Sequence, residues 1–358
     1  AGLAAAMLDR LELNDARIDG MIKGLHDVAV LNEPVGEEIT AWNRPNGLHI
    51  RKVRAPIGVI GIIFESRPNV TCDAAALCFK TSNAVILRGG KEAIHSNLAI
   101  AKALQEGGEE KGLPAHAIQL VPTTDREAVR ELCRMTDSLD LIIPRGGESL
   151  INAVIEMALV PVIKHYKGIC HTYIDASADL EMAWAIAENA KCQRPGVCNA
   201  METLLVHKEI AADFLPKMGA LFHAQNVKLL GDSTCCQQIP SAQPASEEDW
   251  YKEYLDLTLS IRVVDHIESA IEHINHYGSG HSDAIVTQDD TSEKQFLAEV
   301  DSSSVYVNAS TRFTDGAEFG MGAEIGISTD KLHARGPMGL EELTTYKFVI
   351  EGTGQIRE

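Results

Sequence analysis

The stretch Pro56-Ile-Gly-Val-Ile-Gly-Ile-Ile-Phe64 is a continuous apolar run, and it decides the fold class. Such a run is typical of a buried strand, because a strand covered on both faces needs apolar side chains on both. A helix is predicted from Pro68 to Lys80, with proline near its start, where proline is tolerated. The next strand is predicted at Asn83–Leu87. This βα repetition predicts an α/β fold with a parallel sheet covered by helices.

The same alternation continues along the chain. Further helices are predicted over 94–108, 125–134 and 147–159 and after Ser177, which is the expected N-cap. Further strands are predicted at 118–121, 139–143, 160–163, 170–175, 201–206, 261–264, 284–287 and 304–308. Segments 48–54 and 344–350 alternate apolar and polar residues, as exposed antiparallel strands do, and are predicted to pair with each other or with another subunit. Residues 239–245 are a predicted surface loop.

Composition excludes several classes of protein. The chain has 358 residues, of which 45% are hydrophobic, and this length favours two domains. The formal net charge of −19 disfavours binding to nucleic acid, which needs the opposite sign. No apolar run approaches the roughly 20 residues of a membrane helix, and no basic-then-apolar signal sequence is present. We therefore expect neither nucleic acid nor membrane as a partner.

Cysteine usage indicates a reducing compartment. The eight cysteines contain no CxxC pair, which argues against a disulfide framework or a structural zinc site. We predict a cytoplasmic protein with no metal, in which one thiol can act as a nucleophile. Cys198 is the candidate, because it lies in a loop with proline and glycine, and nearby Arg194 favours the thiolate. Cys192 is a weaker rival, and the alternative for any single cysteine is a small buried apolar residue.

Two glycine pairs follow predicted strands. One is Arg88-Gly89-Gly90-Lys91, and the other lies in Arg145-Gly146-Gly147. Ligands of open parallel sheets bind beyond the carboxyl ends of the strands, where glycines let backbone N–H groups approach a phosphate. Neither turn matches a known fingerprint, and each alone is equally compatible with a tight βα turn. Taken together they favour a dinucleotide site.

A third polar segment follows the strand predicted at 304–308. Its side chains are suited to gripping a carboxylate, with arginine able to do so bidentately, and they are Asn308, Ser310, Thr311 and Arg312. The alternative is a solvated surface loop.

Together these segments resemble one family. They are Phe64-Glu-Ser-Arg-Pro-Asn69, Arg88-Gly-Gly-Lys91, Ile143-Pro-Arg-Gly-Gly147, Cys198-Asn-Ala-Met-Glu-Thr203, Val307-Asn-Ala-Ser-Thr-Arg-Phe313 and His333-Ala-Arg-Gly-Pro337. In this order they resemble the γ-glutamyl phosphate reductases, or glutamate-5-semialdehyde dehydrogenases, of the aldehyde dehydrogenase superfamily. The resemblance runs from about residue 20 to the C-terminus. The family usually carries a further N-terminal helical stretch, and its absence here indicates a boundary of the sequence rather than altered chemistry.

The resemblance implies an aldehyde dehydrogenase-like fold in three parts. A Rossmann-like NADP-binding domain would comprise 1–45, 56–190 and 323–342, an α/β catalytic domain 191–322, and a β oligomerisation arm 46–55 and 343–358. The implied reaction converts L-glutamyl 5-phosphate and NADPH to L-glutamate 5-semialdehyde, NADP and phosphate. It proceeds through a thioester on Cys198 and is the second step of proline biosynthesis from glutamate. A homo-oligomer and contact with glutamate 5-kinase are the implied partners.

The resemblance also implies roles for particular residues. The backbone N–H of Cys198 would stabilise the oxyanion, with Ser66 matched to the second donor. Lys164 stands where hydrolytic relatives carry a glutamate that activates water, and its neighbours Ile163, His165 and Tyr166 are not carboxylates. Glu253 would hold the nicotinamide ribose. The two glycine turns and their charged residues would bind the rest of the cofactor. Arg67 and Arg194 would bind the acyl phosphate, and Asn308, Thr311 and Arg312 the substrate carboxylate.

Two rival functions remain open. One is a CoA-acylating or hydrolytic aldehyde dehydrogenase, which would not depend on phosphate as the acyl acceptor. The other is a non-catalytic nucleotide-binding or scaffold protein with the same fold, which would not depend on the Cys198 thiol.

Overall fold

A computed structural model describes residues 11–164 and 167–357. Its helices are α1 Asp15–Val30, α2 Asn69–Lys80, α3 Ile94–Glu109, α4 Glu127–Arg134, α5 Glu148–Met157, α6 Leu180–Cys192, α7 Ala211–Ala224, α8 Ser233–Gln238, α9 Ile267–Tyr277 and α10 Asp290–Glu299. Single 3₁₀ turns cover Lys91–Ala93, Glu247–Tyr251 and Thr311–Phe313.

The strands follow the predicted alternation. They are β1 Glu38–Asn43, β2 His49–Pro56, β3 Val59–Phe64, β4 Ala84–Arg88, β5 Ile118–Leu120, β6 Leu141–Arg145, β7 Cys170–Ile174, β8 Met201–His207, β9 Lys228–Gly231, β10 Gln243–Pro244, β11 Thr258–Val264, β12 Ser282–Val286, β13 Ser304–Val307, β14 Ile327–Ser328, β15 Gly336–Pro337 and β16 Thr344–Glu351. At 160–163 the structure has only an isolated bridge between Val162 and Ile142.

The chain divides into two compact units. The first comprises residues 11–164, 320–326 and 332–357, and the second 167–319 and 327–331. The predicted boundary at 190/191 differs from this division. Strand β7 pairs with β8 and β12, and the adjoining helix α6 packs on β8, so the segment before residue 191 belongs to the second unit.

The first unit contains a parallel sheet of order β5-β4-β3-β6. Its apolar run is fully covered, with Ile60, Ile62 and Ile63 at 0% exposure, which confirms the buried strand predicted there. One core cluster joins alternate residues of this sheet to helix α2. The carboxyl ends of β4 and β6 carry the two glycine turns.

A separate three-stranded sheet in the first unit has the order β1-β2-β16. Strand β2 pairs with β16 in antiparallel fashion from His49 opposite Glu351 to Pro56 opposite Thr344. The two alternating segments therefore pair with each other, as one of the two predicted alternatives stated. Strand β1, which the sequence did not indicate, completes the sheet.

The second unit contains a seven-stranded parallel sheet of order β10-β9-β11-β8-β7-β12-β13. Asp179, rather than Ser177, is the N-cap of α6, and it accepts a hydrogen bond from the Met182 N–H. Ser177 instead donates its hydroxyl to Asp175. Part of the predicted loop at 239–245 forms the edge strand β10, and the short helix α8 precedes it.

No helix in the described ranges has both the length and the apolar character that crossing a membrane requires.

Candidate active site

Cys198 lies in the turn that links α6 to β8 in the second unit. The turn is closed by a hydrogen bond from the Ala200 N–H to the Val197 carbonyl at 3.1 Å. The residue is half-buried, whereas the next two residues, Asn199 and Ala200, are buried. A partly exposed thiol on a fixed turn is the arrangement that a nucleophile requires.

Burial distinguishes Cys198 from most of the other cysteines. All eight are free thiols. Burial raises the pKa of Cys72 and Cys133 to about 11 and that of Cys78 and Cys235 to about 12. Burial also raises the pKa of the predicted rival Cys192 to about 11. These thiols remain protonated at neutral pH and are poor nucleophiles.

The Cys198 turn is held by the segment that follows β13. The Asn199 amide Nδ2 donates to the carbonyls of Thr314 at 2.8 Å and Arg312 at 3.3 Å. The Thr311 hydroxyl donates to the Asn199 carbonyl at 2.7 Å, and Arg312 Nε donates to Gln193 Oε1 at 2.9 Å. Two segments that the sequence singled out separately are therefore brought together.

The predicted carboxylate ligands have different surroundings. Thr311 is completely buried, with its hydroxyl committed to the turn. Asn308 adopts a φ of +54°, and its side chain accepts from the Thr287 N–H and donates to the Thr287 carbonyl, both at 3.0 Å. Both side chains thus hydrogen-bond to backbone groups. Arg312 is the member of this set that carries a charge suited to a substrate carboxylate.

Arg312 belongs to a charged cluster at the turn. Burial and repulsion from Arg194 lower its pKa, while attraction to Cys198 and Asp315 opposes that decrease. Arg194 is exposed. The Arg312 guanidinium therefore interacts electrostatically with the Cys198 thiol and with Arg194.

The segment before β7 packs directly against Cys198. A Cβ at Gly168 would lie 1.9 Å from the Cys198 carbonyl oxygen, so no larger residue fits there. The Cys170 thiol donates to the same oxygen at 3.2 Å, and burial raises its pKa well above the usual range. Neither residue was indicated by the sequence, because a lone glycine and a cysteine at the start of a strand carry no distinctive pattern.

Glu253 is positioned through the same segment. Its carboxylate accepts the Gly168 N–H at 2.9 Å. The residue is partly buried, two positions before Leu255, which adopts a φ of +53°. One glycine therefore contacts both the predicted nucleophile and the predicted ribose ligand.

The turn after β4 lies in the first unit. A Cβ at Gly89 would lie 2.0 Å from Nδ2 of buried Asn97, so packing requires glycine there, whereas one at Gly90 would meet only the movable end of Glu92, at 2.4 Å. Arg88 is buried and donates to the carbonyls of Gly89, Thr124 and Asp125 at 2.9–3.2 Å. Arg88 therefore supports the following loop, and exposed Lys91 supplies the charge available at this turn.

The turn after β6 has a carboxylate at its centre. The Gly147 N–H at the start of α5 donates to Glu65 Oε2 at 2.9 Å, and a Cβ at Gly146 would lie 2.5 Å from the same oxygen. The start of this helix thus attracts an anion, as predicted for a phosphate site, but the anion present is a side chain. Arg145 acts on Asp73, where it opposes the rise in pKa that burial causes.

Ser66 is paired within the first unit. Its N–H and its hydroxyl both donate to Glu92 Oε1, at 3.0 and 2.5 Å. Burial favours a higher pKa for Glu92, but hydrogen bonds from Ser66 and from the Glu92 backbone, together with the charge of Lys91, outweigh this effect and the pKa is lowered. Ser66 therefore stabilises a carboxylate here rather than presenting its hydroxyl as a free donor. Its neighbour Arg67 is exposed.

Lys164 is within the described part of the chain, whereas the predicted neighbours His165 and Tyr166 lie outside it. The comparison with hydrolytic enzymes at this position therefore stays a prediction.

Comparisons with known proteins identify the family. The aldehyde dehydrogenase family model matches residues 9–248. The γ-glutamyl phosphate reductase of Geobacter metallireducens is 58% identical over 357 residues, which is 100% of this chain and 85% of that protein. The enzyme of the same name from Moorella thermoacetica is 59% identical with the same coverage. The chain belongs to the γ-glutamyl phosphate reductase family.

Solved structures agree with this membership. The crystal structure of γ-glutamyl phosphate reductase from Thermotoga maritima matches with a TM-score of 0.98 at 50% identity, covering 100% of this chain and 86% of the other. An acetylating aldehyde dehydrogenase from Geobacillus thermoglucosidasius matches with a TM-score of 0.69 at 16% identity, covering 99% and 95%. The latter likeness shows the aldehyde dehydrogenase fold, which confirms the predicted fold class. Aldehyde dehydrogenases use a nicotinamide cofactor.

Proposed function

We propose that this member of the γ-glutamyl phosphate reductase family reduces L-glutamyl 5-phosphate to L-glutamate 5-semialdehyde, releasing phosphate, in the second step of proline biosynthesis. The observation that carries the proposal is a half-buried Cys198 on a turn held by four hydrogen bonds, in a chain 59% identical to a γ-glutamyl phosphate reductase.

The chemistry of the site follows from the thiol. The Cys198 thiolate attacks the acyl carbon of the substrate, a C–S bond forms, the bond from carbon to the phosphate oxygen breaks, and phosphate leaves. The product is a thioester, which accepts a hydride more readily than a carboxylate does. NADPH, when bound, supplies that hydride. The Cys198 sulfur then departs as a thiolate, and the aldehyde is released.

Charge develops on the substrate oxygen at each stage, and the site must stabilise it. The backbone N–H of Cys198 is the proposed donor. Arg194 and Arg312 are the proposed ligands of the phosphate and of the α-carboxylate, because their charges act at the turn. Arg67 stays a prediction for the acyl phosphate.

The proposed cofactor is NADP. The first unit suits a dinucleotide, because its sheet is parallel and its glycine turns stand at the carboxyl ends of β4 and β6. Lys91 is the proposed phosphate ligand in that unit, whereas Arg145 and the Gly146–Gly147 turn stay predictions, because Glu65 accepts the Gly147 N–H and Arg145 acts on Asp73. Arg88 does not fit this role, since its terminal nitrogens donate to backbone carbonyls. Glu253 is the proposed ribose ligand, oriented by Gly168.

We propose a homo-oligomer that forms through the three-stranded sheet. One face of the sheet exposes aromatic and aliphatic side chains, Trp42 at 38%, Tyr346 at 50%, Phe348 at 52% and Ile350 at 55% exposure, with the Lys52 ammonium 3.6 Å above the Tyr346 ring. The rings of Trp42 and Phe348 lie 6.2 Å apart, and those of Tyr346 and Phe348 lie 5.7 Å apart. Exposed aromatic side chains grouped on one face favour burial against a partner, and the proposed partner is a second copy of the chain.

The proposed location is the cytoplasm, and eight free thiols suit a reducing compartment. A contact with glutamate 5-kinase would deliver the labile acyl phosphate and stays a prediction.

The reverse reaction tests the proposed function. Purified protein receives glutamate semialdehyde and NADP, and NADPH formation is followed with phosphate present, omitted, or replaced by CoA. The proposal requires sustained NADPH formation, beyond one equivalent per active site, only with phosphate. Equal formation without phosphate would instead support a hydrolytic enzyme, formation with CoA an acylating one, and no formation under any condition a non-catalytic protein.

A further inference from the structure

A buried ion pair closes the loop that carries Cys198. Lys191 is near the end of α6, immediately before the loop, and Glu202 is near the start of β8, immediately after it. The Lys191 ammonium contacts Glu202 Oε2 at 2.6 Å, and both side chains are completely buried. The ion pair therefore fixes the distance between the two ends of the loop.

The second oxygen of Glu202 holds another segment. Glu202 Oε1 accepts the Leu255 N–H at 3.1 Å. Leu255 has a φ of +53°, a conformation that is unfavourable for a leucine and persists only where neighbouring contacts impose it. Glu202 is such a contact, and Leu255 lies two residues after Glu253.

The two segments meet again at Gly168. Glu253 accepts the Gly168 N–H, and Gly168 packs on the backbone of Cys198 without room for a Cβ. Contacts therefore run from Glu202 through Leu255, Glu253 and Gly168 to Cys198, while the ion pair with Lys191 closes the loop from the other side.

The energetic character of the pair suggests a role beyond stability. Burial raises the pKa of Glu202 to about 7, and attraction to the Lys191 ammonium opposes that rise. Desolvation of two charges offsets much of their attraction, so a buried pair often stabilises a fold no better than apolar side chains of similar size. We therefore attribute the ion pair to a need for fixed geometry between the Cys198 loop and the segment that contains Glu253.

We propose that Glu202 is a positioning residue, which sets the segment of Glu253 relative to the Cys198 turn through its hydrogen bond with Leu255. The proposal rests on the proposed function, because it assigns cofactor binding to Glu253 and nucleophilic attack to Cys198. The Glu202 carboxylate would thereby fix the relative positions of Cys198 and Glu253, which lie far apart in the sequence.

Two double variants separate positioning from stability. K191M/E202Q and K191M/E202M both remove the two charges, but only glutamine retains an acceptor for the Leu255 N–H. The glutamine variant also buries an amide N–H₂ without a partner, so it should be the less stable of the two. A purely structural role would make activity follow stability, whereas positioning predicts the opposite order.

The measurements are the thermal midpoint, the dissociation constant of NADPH from fluorescence, kcat/KM, and the rate of Cys198 alkylation. We expect K191M/E202M to melt at the higher temperature, yet to bind NADPH and turn over about tenfold less well than K191M/E202Q. Equal NADPH affinities, or activities in the order of the melting temperatures, would overturn the proposal. D232N is the matched control, because Asp232 also accepts backbone N–H groups, from Cys235 and Val263, away from the Cys198 turn. It should lower the melting temperature with NADPH affinity unchanged.

Single variants decide the question if the double variants fail to fold. E202Q and K191M each keep an oxygen acceptor for Leu255, so NADPH affinity should stay within about threefold of the parent chain despite lower stability. A tenfold loss of affinity in either would contradict the proposal. An inactive parent chain that still binds NADPH would refute the proposed reaction alone, since NADPH affinity and alkylation rate test Glu202 without turnover.

Discussion

The hydroxyl of Thr311 donates to the carbonyl oxygen of Asn199 at 2.7 Å, one residue beyond Cys198. Thr311 has no exposed surface, and its own 3₁₀ turn is capped by Ser310. A residue that the sequence suggested as a substrate ligand is thus a support for the nucleophile's turn. The hydrogen bond connects the segment after β13 to the turn before β8, and it is short enough to fix their relative position.

Removing this hydroxyl should reduce turnover with little change in substrate affinity. T311V keeps the shape of the side chain but leaves the Asn199 carbonyl without its buried donor. We expect kcat to fall about tenfold or more, because small displacements of a reacting group are costly, while KM stays nearly constant. Steady-state kinetics of T311V and of T311S, which retains the donor, provide the measurement and its control. A rise in KM alone would indicate direct substrate binding instead.

Ser66 offers a test of the oxyanion site. Because its hydroxyl and N–H already donate to Glu92, S66A should lower kcat by less than about tenfold. Loss of a true oxyanion donor costs about 100-fold or more. The rate of single-turnover reduction by S66A distinguishes a role in binding Glu92 from a role as oxyanion donor. T71A, which removes another hydroxyl in the first unit, is the control. A loss of 100-fold confined to S66A would restore the oxyanion role.

Much of the architecture follows from local patterns. The apolar run at Val59–Phe64, the glycine turns at strand ends and the exposed alternation of β2 and β16 each depend on residues close in sequence. The family motifs also marked the Cys198 turn and the segment at Thr311 as functional. Sequence alone therefore predicted the fold class, and two segments that it singled out, the Cys198 turn and the segment at Thr311, are in contact.

The specific tasks of side chains were less accessible, because they depend on partners far along the chain. Arg88 is charged and ends β4 just before a glycine pair, which predicts a phosphate ligand. Its guanidinium nitrogens instead donate to the carbonyls of Thr124 and Asp125. The sequence patterns also did not predict the Lys191–Glu202 ion pair. A glutamate within the apolar segment Met201–Val206 was nevertheless a usable signal of a buried charge. A carboxylate in a buried strand requires a partner, but the pattern does not say which one.

A buried histidine should make stability depend on pH. Arg262 Nη1 lies 2.9 Å from His273 Nδ1, and because arginine only donates, this nitrogen must accept and the ring is neutral. Burial, with repulsion from His171, Arg262 and His276, lowers the pKa of His273 from 6.5 to about 2. Below pH 6.5 the unfolded chain therefore binds a proton that the folded chain does not, and stability falls.

The effect of His273 is measurable as a difference between variants. The loss amounts to at most about 1.4 kcal/mol per pH unit below pH 6.5, and above that pH the contribution is constant. H273Q retains an acceptor for Arg262 but cannot titrate. Urea unfolding at several pH values between 8 and 5 should show a steeper decline for the parent chain than for H273Q. Parallel curves would contradict the neutral, buried state of this ring.

The exposed aromatic face of β16 should control assembly. Charge at Phe348, which is 52% exposed, would have to be desolvated in an interface through this face, so F348E should shift the protein toward monomers. K347E is the matched control, because Lys347 is its exposed neighbour on the opposite face of the strand. Light scattering after size exclusion gives the masses. Identical masses for F348E and the parent chain would contradict an interface through this face.

The most direct test of the account is to find the acyl group on the enzyme. Glutamate semialdehyde and NADP are mixed with the protein without phosphate, the reaction is quenched in acid, and cysteine peptides are examined by mass spectrometry. The account predicts a glutamyl adduct on the peptide containing Cys198, removed by hydroxylamine and absent in C198S. An adduct on Cys192 instead of Cys198, or full turnover by C198S, would contradict it.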